Sequence, residues 1–318
     1  GCNAINTMIT DYDIQGVDFM AFNTDAQSLK LSQAPITLQL GEELTRGLGV
    51  GGNAELGAQA AEESLDQIQE MLEGANMVFV TAGMGGGTGT GAAPIVAGVA
   101  RNMGALTVAV VTKPFDFEGQ KRKDIAEEGI ANLRDKVDTL IVVPNQRLLE
   151  IVNESEKLSF IDAMKKVDSV LAEGVKSISS LISETGYVNA DFNDAKTVMK
   201  DAGTALMGIG RASGENRAEE AARAATSSPL LDMSIEGATG VLYNIVASDL
   251  TLTEVSQVSD LIKEAVDPSA NIKFGAQIDP NAGEELIITI VATGFDESKQ
   301  IYRQQQKDQT PSTPVSTI

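Results

Sequence analysis

The sequence has no histidine and a single cysteine, Cys2. The absence of histidine excludes Ser-His-Asp triads, Cys-His pairs and His-ligated zinc sites, because each of these requires an imidazole. One cysteine excludes an internal disulfide and is typical of a reducing compartment. No apolar run approaches the roughly 18 residues of a membrane-spanning helix, and no signal-peptide pattern opens the chain. We therefore expect a cytoplasmic protein without direct membrane insertion.

Basic residues are also scarce, since 24 Lys and Arg stand against 45 Asp and Glu and give a net charge of −21. Such an acidic chain repels phosphate backbones, so we expect no nucleic-acid partner. The hydrophobic fraction of 42% and the charged fraction of 22% are those of an ordinary globular protein. At roughly 150 residues per domain, 318 residues correspond to about two domains.

Apolar, β-branched runs alternate with helical patterns over the first half of the chain. Nearly continuous hydrophobicity in these runs indicates strands that are buried on both faces, as in a parallel sheet. The alternation predicts a doubly wound, mostly parallel α/β domain, in which ligands bind at the carboxyl ends of the strands. The predicted strands are 17–22, 76–81, 106–112 and 137–143, and the predicted helices are 54–72 and 92–103.

A long amphipathic helix and a second, smaller α/β domain are predicted to follow. Apolar residues recur at three- and four-residue steps over 160–182, Ser159 is placed to cap the start, and the helix would be roughly 35 Å long. Strand patterns at 205–210, 241–247, 272–277 and 286–292 mix with helices at 218–226 and 253–266. We place the boundaries at 1–154 for the first domain, 155–185 for the helix, 186–298 for the second domain and 299–318 for the start of a disordered linker.

The most informative stretch is the glycine-rich loop at 81–91, TAGMGGGTGTG, between a predicted strand and a predicted helix. Glycines let backbone N–H groups approach an anion closely, and the following helix points its positive end at the same place. Thr88 and Thr90 add hydroxyl groups. The loop therefore predicts a phosphate site.

The loop does not match the commonest phosphate motifs. A Walker A loop requires Gly-Lys-Ser/Thr, and no Gly is followed by Lys in this sequence. Residues 87–92 do satisfy G-x-G-x-x-A, so a dinucleotide such as NAD is an alternative. Its ribose-binding acid should end a strand about 20 residues later, yet the next predicted strand ends at Thr112, before Lys113-Pro114.

GGGTGTG after an apolar strand resembles the signature loop of the tubulin-like GTPases, and the wider sequence resembles the filament-forming GTPases of bacterial cell division. The resemblance runs from Gly1 to about Phe295, which leaves the first strand and most of the first glycine loop before Gly1. It implies a tubulin-like fold that binds GTP or GDP with Mg²⁺. The other matching segments are 23–27, 45–53, 114–119, 189–194 and 237–245.

The resemblance assigns nucleotide contacts to several loops. It implies that Glu118 and Arg122 hold the ribose and the neighbouring phosphate, and that Asn145 and Asp168 recognise guanine. A carboxylate such as Asp168 can accept the N1 and N2 protons of guanine, although on the residues alone a solvated position is the simpler interpretation. The remaining implied GTP-binding residues are Gly1, Cys2, Asn3, Asn23, Asp25, Gly51, Gly52, Asn53, Gly85, Gly86, Gly87, Thr88, Gly89, Thr90, Gly91, Thr112 and Pro114.

An acid loop, Asn189-x-Asp191-x-x-Asp194, follows the long helix. By itself it fits helix capping, or carboxylates that bind a cation or orient water, but not an EF-hand, whose sixth and twelfth positions would be Gly and Glu. About 16 helical residues, roughly 24 Å, separate it from Asp168, so it can reach a γ-phosphate only in a second, head-to-tail subunit. The resemblance implies this arrangement, with Asp191 and Asp194 polarising water and holding the cation and Asn189 positioning.

The sequence thus predicts a self-assembling GTPase that forms head-to-tail homopolymers and the cytokinetic ring at mid-cell. Membrane tethers and division regulators would bind a C-terminal peptide that is not in this sequence. Three alternatives remain: a tubulin-like filament for plasmid partition or cell shape, a nucleotide-binding scaffold that does not hydrolyse, and an NAD oxidoreductase.

Overall fold

A computed structural model describes residues 1–12, 14, 16–151, 159–183, 191–231 and 233–295. Among these residues, no helix has the length and apolar character needed to cross a lipid bilayer. The helices are α1 (Cys2–Asp11), α2 (Ala26–Lys30), α3 (Glu42–Thr45), α4 (Ala54–Glu63), α5 (Leu65–Leu72), α6 (Thr88–Asn102), α7 (Gln120–Arg134), α8 (Asn145–Ile151), α9 (Phe160–Ser183), α10 (Phe192–Met199), α11 (Arg217–Thr226) and α12 (Leu252–Ala265). The strands are β1 (Met20–Asn23), β2 (Ile36–Gln39), β3 (Met77–Gly83), β4 (Leu106–Lys113), β5 (Thr139–Pro144), β6 (Gly203–Ser213), β7 (Gly240–Ala247), β8 (Asn271–Ile278) and β9 (Glu285–Thr293).

The main sheet has seven strands in the order β3-β4-β5-β6-β9-β7-β8. Strands β3 to β6 are parallel, β9 is antiparallel to both β6 and β7, and β7 is parallel to β8. A separate parallel pair, β1-β2, aligns Met20 with Ile36. The result is a two-domain α/β fold with a mostly parallel central sheet, as the sequence predicts.

The strand β4 shows why this sheet forms in the interior. Its first seven residues are all buried, and they alternate between two cores: Val108 and Val110 pack with α1 and α9 on one face, and Ala109 and Val111 pack with α4 to α7 on the other. A strand covered on both faces needs apolar residues at every position, which explains the unbroken apolar run in the sequence. A third core lies between α11, α12 and the outer face of β7 and β9.

The two halves of the chain share hydrogen bonds as well as the helix α9. Strand β6 pairs with β5 over Thr139↔Gly203, Leu140↔Thr204 and Ile141↔Ala205, and then continues as the first strand of the second half. The second half is therefore an extension of the first sheet, which the sequence patterns do not reveal. The domain boundaries given above remain a prediction.

Several elements differ from the predicted ones. The predicted helix 54–72 is interrupted at Ser64, whose buried hydroxyl accepts a hydrogen bond from the Gly41 N–H at 3.0 Å. The helix predicted from residue 92 begins at Thr88, so residues 88–91 of the glycine-rich segment form its first turn. The strand predicted at 17–22 begins at Met20. The short elements α2, α3, α8 and β2, and the polar helix α7, are not predicted by the apolar spacing.

Candidate functional site

The glycine loop connects the end of β3 to the first residue of α6 in four residues, 84–87. Gly85 has φ of +95°, a conformation that glycine adopts without strain. The Thr90 hydroxyl, which is buried, accepts a hydrogen bond from the Gly85 N–H at 2.9 Å and ties the loop to the first turn of α6. The loop is thus a fixed turn at the carboxyl end of β3.

The N-terminus of α6 faces open space at this turn. Its N-cap residue, Gly87, supplies no side-chain hydrogen bond, which leaves first-turn N–H groups for another acceptor. A Cβ built on Gly86 would meet no heavy atom within 4 Å. Free N–H groups and the positive end of a 15-residue helix make this turn suitable for an anion such as phosphate.

Other glycines of the loop are required by packing. A Cβ on Gly87 would lie 2.5 Å from Val50 Cγ2, and a Cβ on Gly91 would lie 1.9 Å from the Ala54 carbonyl oxygen. From the other side, a Cβ on Gly57 would lie 2.4 Å from the Gly87 oxygen. Helices α4 and α6 therefore touch backbone to backbone, and only part of the glycine content serves access to a ligand.

The glycine loop lies close to Gly1, Cys2 and Asn23, three of the residues predicted to bind the nucleotide. A Cβ on Gly1, the N-cap of α1, would lie 3.0 Å from the Thr81 oxygen in β3. The Asn23 amide donates to Cys2 Sγ at 3.8 Å, and the hydroxyl groups of Thr24 and Thr88 are 2.6 Å apart. The N-termini of α1 and α6 thus lie beside the ends of β1 and β3. Asn3, in the first turn of α1, is exposed.

The side chains of Asp25 and Asn53 each cap the N-terminus of a helix. Asp25 caps α2 by accepting the N–H groups of Gln27 and Ser28 at 2.8 and 3.2 Å, and these hydrogen bonds lower the pKa of its carboxyl group. Asn53 caps α4 by accepting the Leu56 N–H at 3.1 Å. Each side chain retains a second polar atom for other contacts.

The segment that contains Gly51 and Gly52 lies beside the glycine loop and is open to solvent. Gly51 and Gly52 are exposed and have φ of +56° and +81°. A Cβ at either position would touch nothing, so glycine is required there by the backbone conformation alone. The two residues are predicted to bind GTP, and they lie next to Asn53, which adjoins Gly87.

The opposite side of the glycine loop is formed by the segment after β4. The Thr112 carbonyl accepts the Met84 N–H at 2.9 Å, and a Cβ on Gly85 would lie 2.7 Å from the Arg122 oxygen and 3.4 Å from Pro114 Cγ. The Glu118 carboxylate forms an ion pair with Arg122. These four predicted residues are therefore brought to the loop, with Glu118 and Arg122 paired to one another.

Asn145 and Asp168, the residues predicted to recognise guanine, differ in their surroundings. Asn145 directly follows β5, is 6% exposed, and its Oδ1 has no hydrogen-bond partner among the described residues. Asp168 is half-buried, and desolvation by burial raises the pKa of its carboxyl group. Because buried polar atoms are nearly always paired, the Asn145 oxygen is suited to accept a hydrogen bond from a bound ligand.

Thr81 is a further candidate that sequence reasoning missed. Its hydroxyl is buried without a partner among the described residues, and it lies in β3 two residues before Gly83. The feature of the sequence that could have identified Thr81 is a polar side chain near the end of an apolar strand, just before a glycine loop.

The acid loop lies at the start of α10. Asp191 is the N-cap, and its Oδ1 accepts the Asp194 N–H at 2.7 Å while Asp194 Oδ2 accepts the Asp191 N–H at 3.3 Å. The Lys273 ammonium, 2.7 Å from Asp194 Oδ1, and the Asp191 N–H lower the pKa of the Asp194 carboxyl group. Asn189 lies outside the described residues. Both carboxylates therefore cap the helix, which is the simpler of the two interpretations that the sequence allows.

The acid loop and the glycine loop are separated within the chain. The glycine loop is at the N-terminus of α6, whereas Arg101, in the last turn of α6, binds Asp201 just beyond α10 at 2.5 Å. Helix α6 is about 22 Å long, and α9 runs a similar 22 Å from Asp168 to Ser183. Among the described residues, no group of three or more Cys, Asp or Glu side chains could hold a metal ion.

Both halves of the chain match models of known protein families. A family model of the Tubulin/FtsZ GTPase domain matches residues 1–153, and a model of the FtsZ C-terminal domain matches residues 203–296. CetZ2 from Haloferax volcanii, solved as a GTPγS-bound protofilament, has 20% identity over 96% of this chain and 94% of its own, with a TM-score of 0.77. At that identity the likeness concerns the fold alone.

Two structures of FtsZ from M. jannaschii are much more similar in sequence. An empty FtsZ dimer has 40% identity and a TM-score of 0.89 over 100% of this chain and 92% of its own. A W319Y mutant has 44% identity and a TM-score of 0.88 over 93% and 88%. The chain therefore belongs to the tubulin/FtsZ family of GTPases, a family that binds GTP and GDP.

Proposed function

We propose that this protein is a self-assembling GTPase that polymerises head to tail and hydrolyses GTP at the contact between subunits. The observation that carries the proposal is the separation of the glycine loop from the acid loop along α6 and α9. Two groups that must meet on one substrate but lie far apart in a chain can meet when a second copy stacks on the first. Such a heterologous contact does not close and generates a filament.

The nucleotide is bound on the side of the glycine loop. Backbone N–H groups of residues 86–89 and the positive end of α6 receive the phosphates, with Gly51, Gly52 and Asn53 beside them. Asn145 and Asp168 receive the guanine, because a carboxylate pairs with the N1 and N2 protons that adenine does not offer. The buried Asn145 oxygen, which has no partner among the described residues, and the half-buried Asp168 carboxyl group support this assignment.

The acid loop of the next subunit supplies the hydrolytic groups. Asp191 and Asp194 accept protons from, and so orient, the water that attacks the γ-phosphate, and Asn189 positions them. Bound Mg²⁺ would neutralise negative charge on the phosphates. One subunit offers only the carboxylates of Asp191 and Asp194, so oxygens of the phosphates held by the neighbouring subunit would have to complete the set of ligands. Hydrolysis removes the γ-phosphate and weakens the contact that it bridged.

In the cell, we assign this filament to the cytokinetic ring at mid-cell, in the cytoplasm. The 40–44% identity to FtsZ supports this assignment over plasmid partition or cell shape. Membrane tethers and division regulators would bind a C-terminal peptide beyond this sequence.

The test is phosphate release from GTP as a function of protein concentration. We expect turnover per chain to be near zero in dilute solution and to rise steeply above a threshold concentration. Turnover per chain that is independent of concentration would show that the hydrolytic groups act within one subunit. Binding of GTP with no release would favour a non-hydrolysing scaffold.

A mixing experiment separates the two sides directly. The Asp194→Ala variant keeps its nucleotide side, and the Asp168→Ala variant keeps its acid loop, so each should be inactive alone. When they are mixed, the intact acid loop of one variant meets the nucleotide held by the other, and turnover should return in part. No recovery, with both variants incorporated into filaments, would contradict a shared site.

A further inference from the structure

Lys273 contacts one of the two acids assigned to hydrolysis, although it lies on a different element. It belongs to β8, the strand at one edge of the main sheet, and its register partner in β7 is Leu242. Leu242 packs in the same core as Val198 and Met199 of α10. The side chain of Lys273 therefore rises on the face that α10 covers, where its Nζ lies 2.7 Å from Asp194 Oδ1.

The Asp194 carboxylate is held at both oxygens. Lys273 contacts Oδ1, while the Asp191 N–H donates to Oδ2 at 3.3 Å. A carboxylate with two fixed partners on opposite sides is restricted to one rotamer, and its remaining lone pairs keep a fixed direction. The side chains of Asp194 and Lys273 are 34% and 33% exposed, so the held carboxylate is still accessible to a docked subunit.

Lys273 also changes the charge of the surface that would meet a nucleotide. Asp191 and Asp194 are adjacent on the first turn of α10, and two carboxylates approaching a triphosphate would repel it. One ammonium at 2.7 Å offsets half of that negative charge. The pair can then be brought to an anionic substrate at a smaller electrostatic cost.

We propose that Lys273 is a positioning residue for GTP hydrolysis, holding Asp194 in the orientation in which it acts on the nucleotide of the neighbouring subunit. The inference rests on the proposed function. The competing explanation is that Lys273 protects the edge strand β8 from pairing with other chains, as lysines on edge strands often do. That explanation requires the charge but not the contact with Asp194.

The test compares Lys273→Met and Lys273→Arg with a matched control, Lys263→Met. Lys263 also pairs with an aspartate, Asp260 at 3.5 Å, but on the exposed face of α12. Three quantities are measured for each variant: the Kd for GTP below the assembly threshold, the fraction of chains in polymer, and turnover per polymerised chain at saturating GTP.

We expect Lys273→Met to lower turnover per polymerised chain about tenfold, with the Kd for GTP and the melting temperature nearly unchanged. Lys273→Arg should retain at least half of the turnover, because a guanidinium also pairs with a carboxylate. Lys263→Met should match the wild type. Mixing Lys273→Met with Asp168→Ala should restore turnover, since the second variant supplies an intact acid loop.

Other outcomes would overturn the inference. Wild-type turnover in Lys273→Met would show that Asp194 does not depend on Lys273. Loss of polymer with normal turnover per polymerised chain would assign Lys273 to assembly, and an equal loss in Lys273→Arg would exclude charge pairing. If the wild type itself shows no concentration-dependent turnover, the proposed function fails and this inference fails with it.

Discussion

The glycine loop and the acid loop are held in place by different kinds of contact. At the glycine loop, backbone touches backbone: Gly87 and Gly91 of α6 lie against residues 50–54, with no room for a Cβ. At the acid loop the contacts are made by side chains. The carboxylates of Asp191 and Asp194 each accept the backbone N–H of the other residue at the start of α10, and Lys273 forms an ion pair with Asp194. The first region is buried in the α4–α6 contact, whereas the second is exposed.

Because of this difference, we expect substitutions at the glycine loop to change stability more than substitutions at the acid loop do. At Gly87 and Gly91 the addition of one methyl group disturbs the fold, because close-packed backbones cannot move apart cheaply. At the acid loop a change of charge leaves the fold almost intact, because exposed ion pairs contribute little to it. Four substitutions test this contrast, from the largest expected effect to the smallest.

The largest effect is expected from Gly91→Ala. Its Cβ would lie 1.9 Å from the Ala54 oxygen, so α4 and α6 must separate, at a cost of about 3 kcal/mol in the free energy of unfolding. Denaturant unfolding measures this cost. Gly98→Ala in the same helix is the control, because its Cβ would meet only Lys136 Cδ at 3.8 Å and alanine favours helix. Equal stability of the two variants would contradict the packing role.

Asp191→Asn should lower GTP turnover about 100-fold, the effect expected when one group that orients the attacking water is lost. Its free energy of unfolding should change little, because asparagine caps a helix as well as aspartate does. Asp191→Ala should lose turnover equally and about 1 kcal/mol of stability in addition. If Asp191→Asn retained full turnover, capping would be the whole function of this carboxylate.

Asp168→Asn should weaken GTP binding about 30-fold, because hydrogen bonds from guanine to a charged acceptor are lost. Without nucleotide it should raise the melting temperature at neutral pH, since the pKa of Asp168 is raised by burial and its charged form opposes folding. This gain should be lost as the pH falls through the raised folded-state pKa, and it should be absent below the ordinary aspartate pKa of 3.8, where Asp168 is protonated in both folded and unfolded chains. Lower stability at neutral pH would contradict the assigned direction.

Gly86→Ala is expected to have the smallest effect. Its Cβ meets nothing within 4 Å, so stability should not change, but the methyl group projects where phosphate would approach. We expect a Kd for GTP about tenfold higher, measured by titration below the assembly threshold. An unchanged Kd would show that the phosphates lie elsewhere along the loop.

Local patterns in the sequence were sufficient to predict much of the fold. The strands β3, β4 and β5 follow from unbroken apolar runs, and α9 follows from its spacing and from Ser159, whose hydroxyl accepts the Asp162 N–H at 3.2 Å. The helix α7 is missed because seven of its 15 residues are Lys, Arg, Glu or Asp and only four of its residues are buried.

The contacts that complete the site depend on chain segments far apart in sequence. Gly91 needs to be glycine because Ala54 comes to lie against it, and nothing near residue 91 signals that approach. Lys273 reaches Asp194 only because α10 packs on the face of the sheet from which the Lys273 side chain projects. Residue type and spacing therefore predict which side chains carry chemistry, and topology decides which neighbours hold them.

The strand order has a consequence for synthesis of the chain. Strand β9 lies between β6 and β7, so the hydrogen bonds along most of β6 have no partner until residues 285–293 have left the ribosome. At a synthesis rate of about 5–20 residues per second, the edge of β6 that later pairs with β9 stays unpaired for several seconds after it emerges. Exposed strand edges of this kind pair with other chains. The last strand to be made closes the sheet, and we expect nascent chains that stop short of it to be substrates for chaperones.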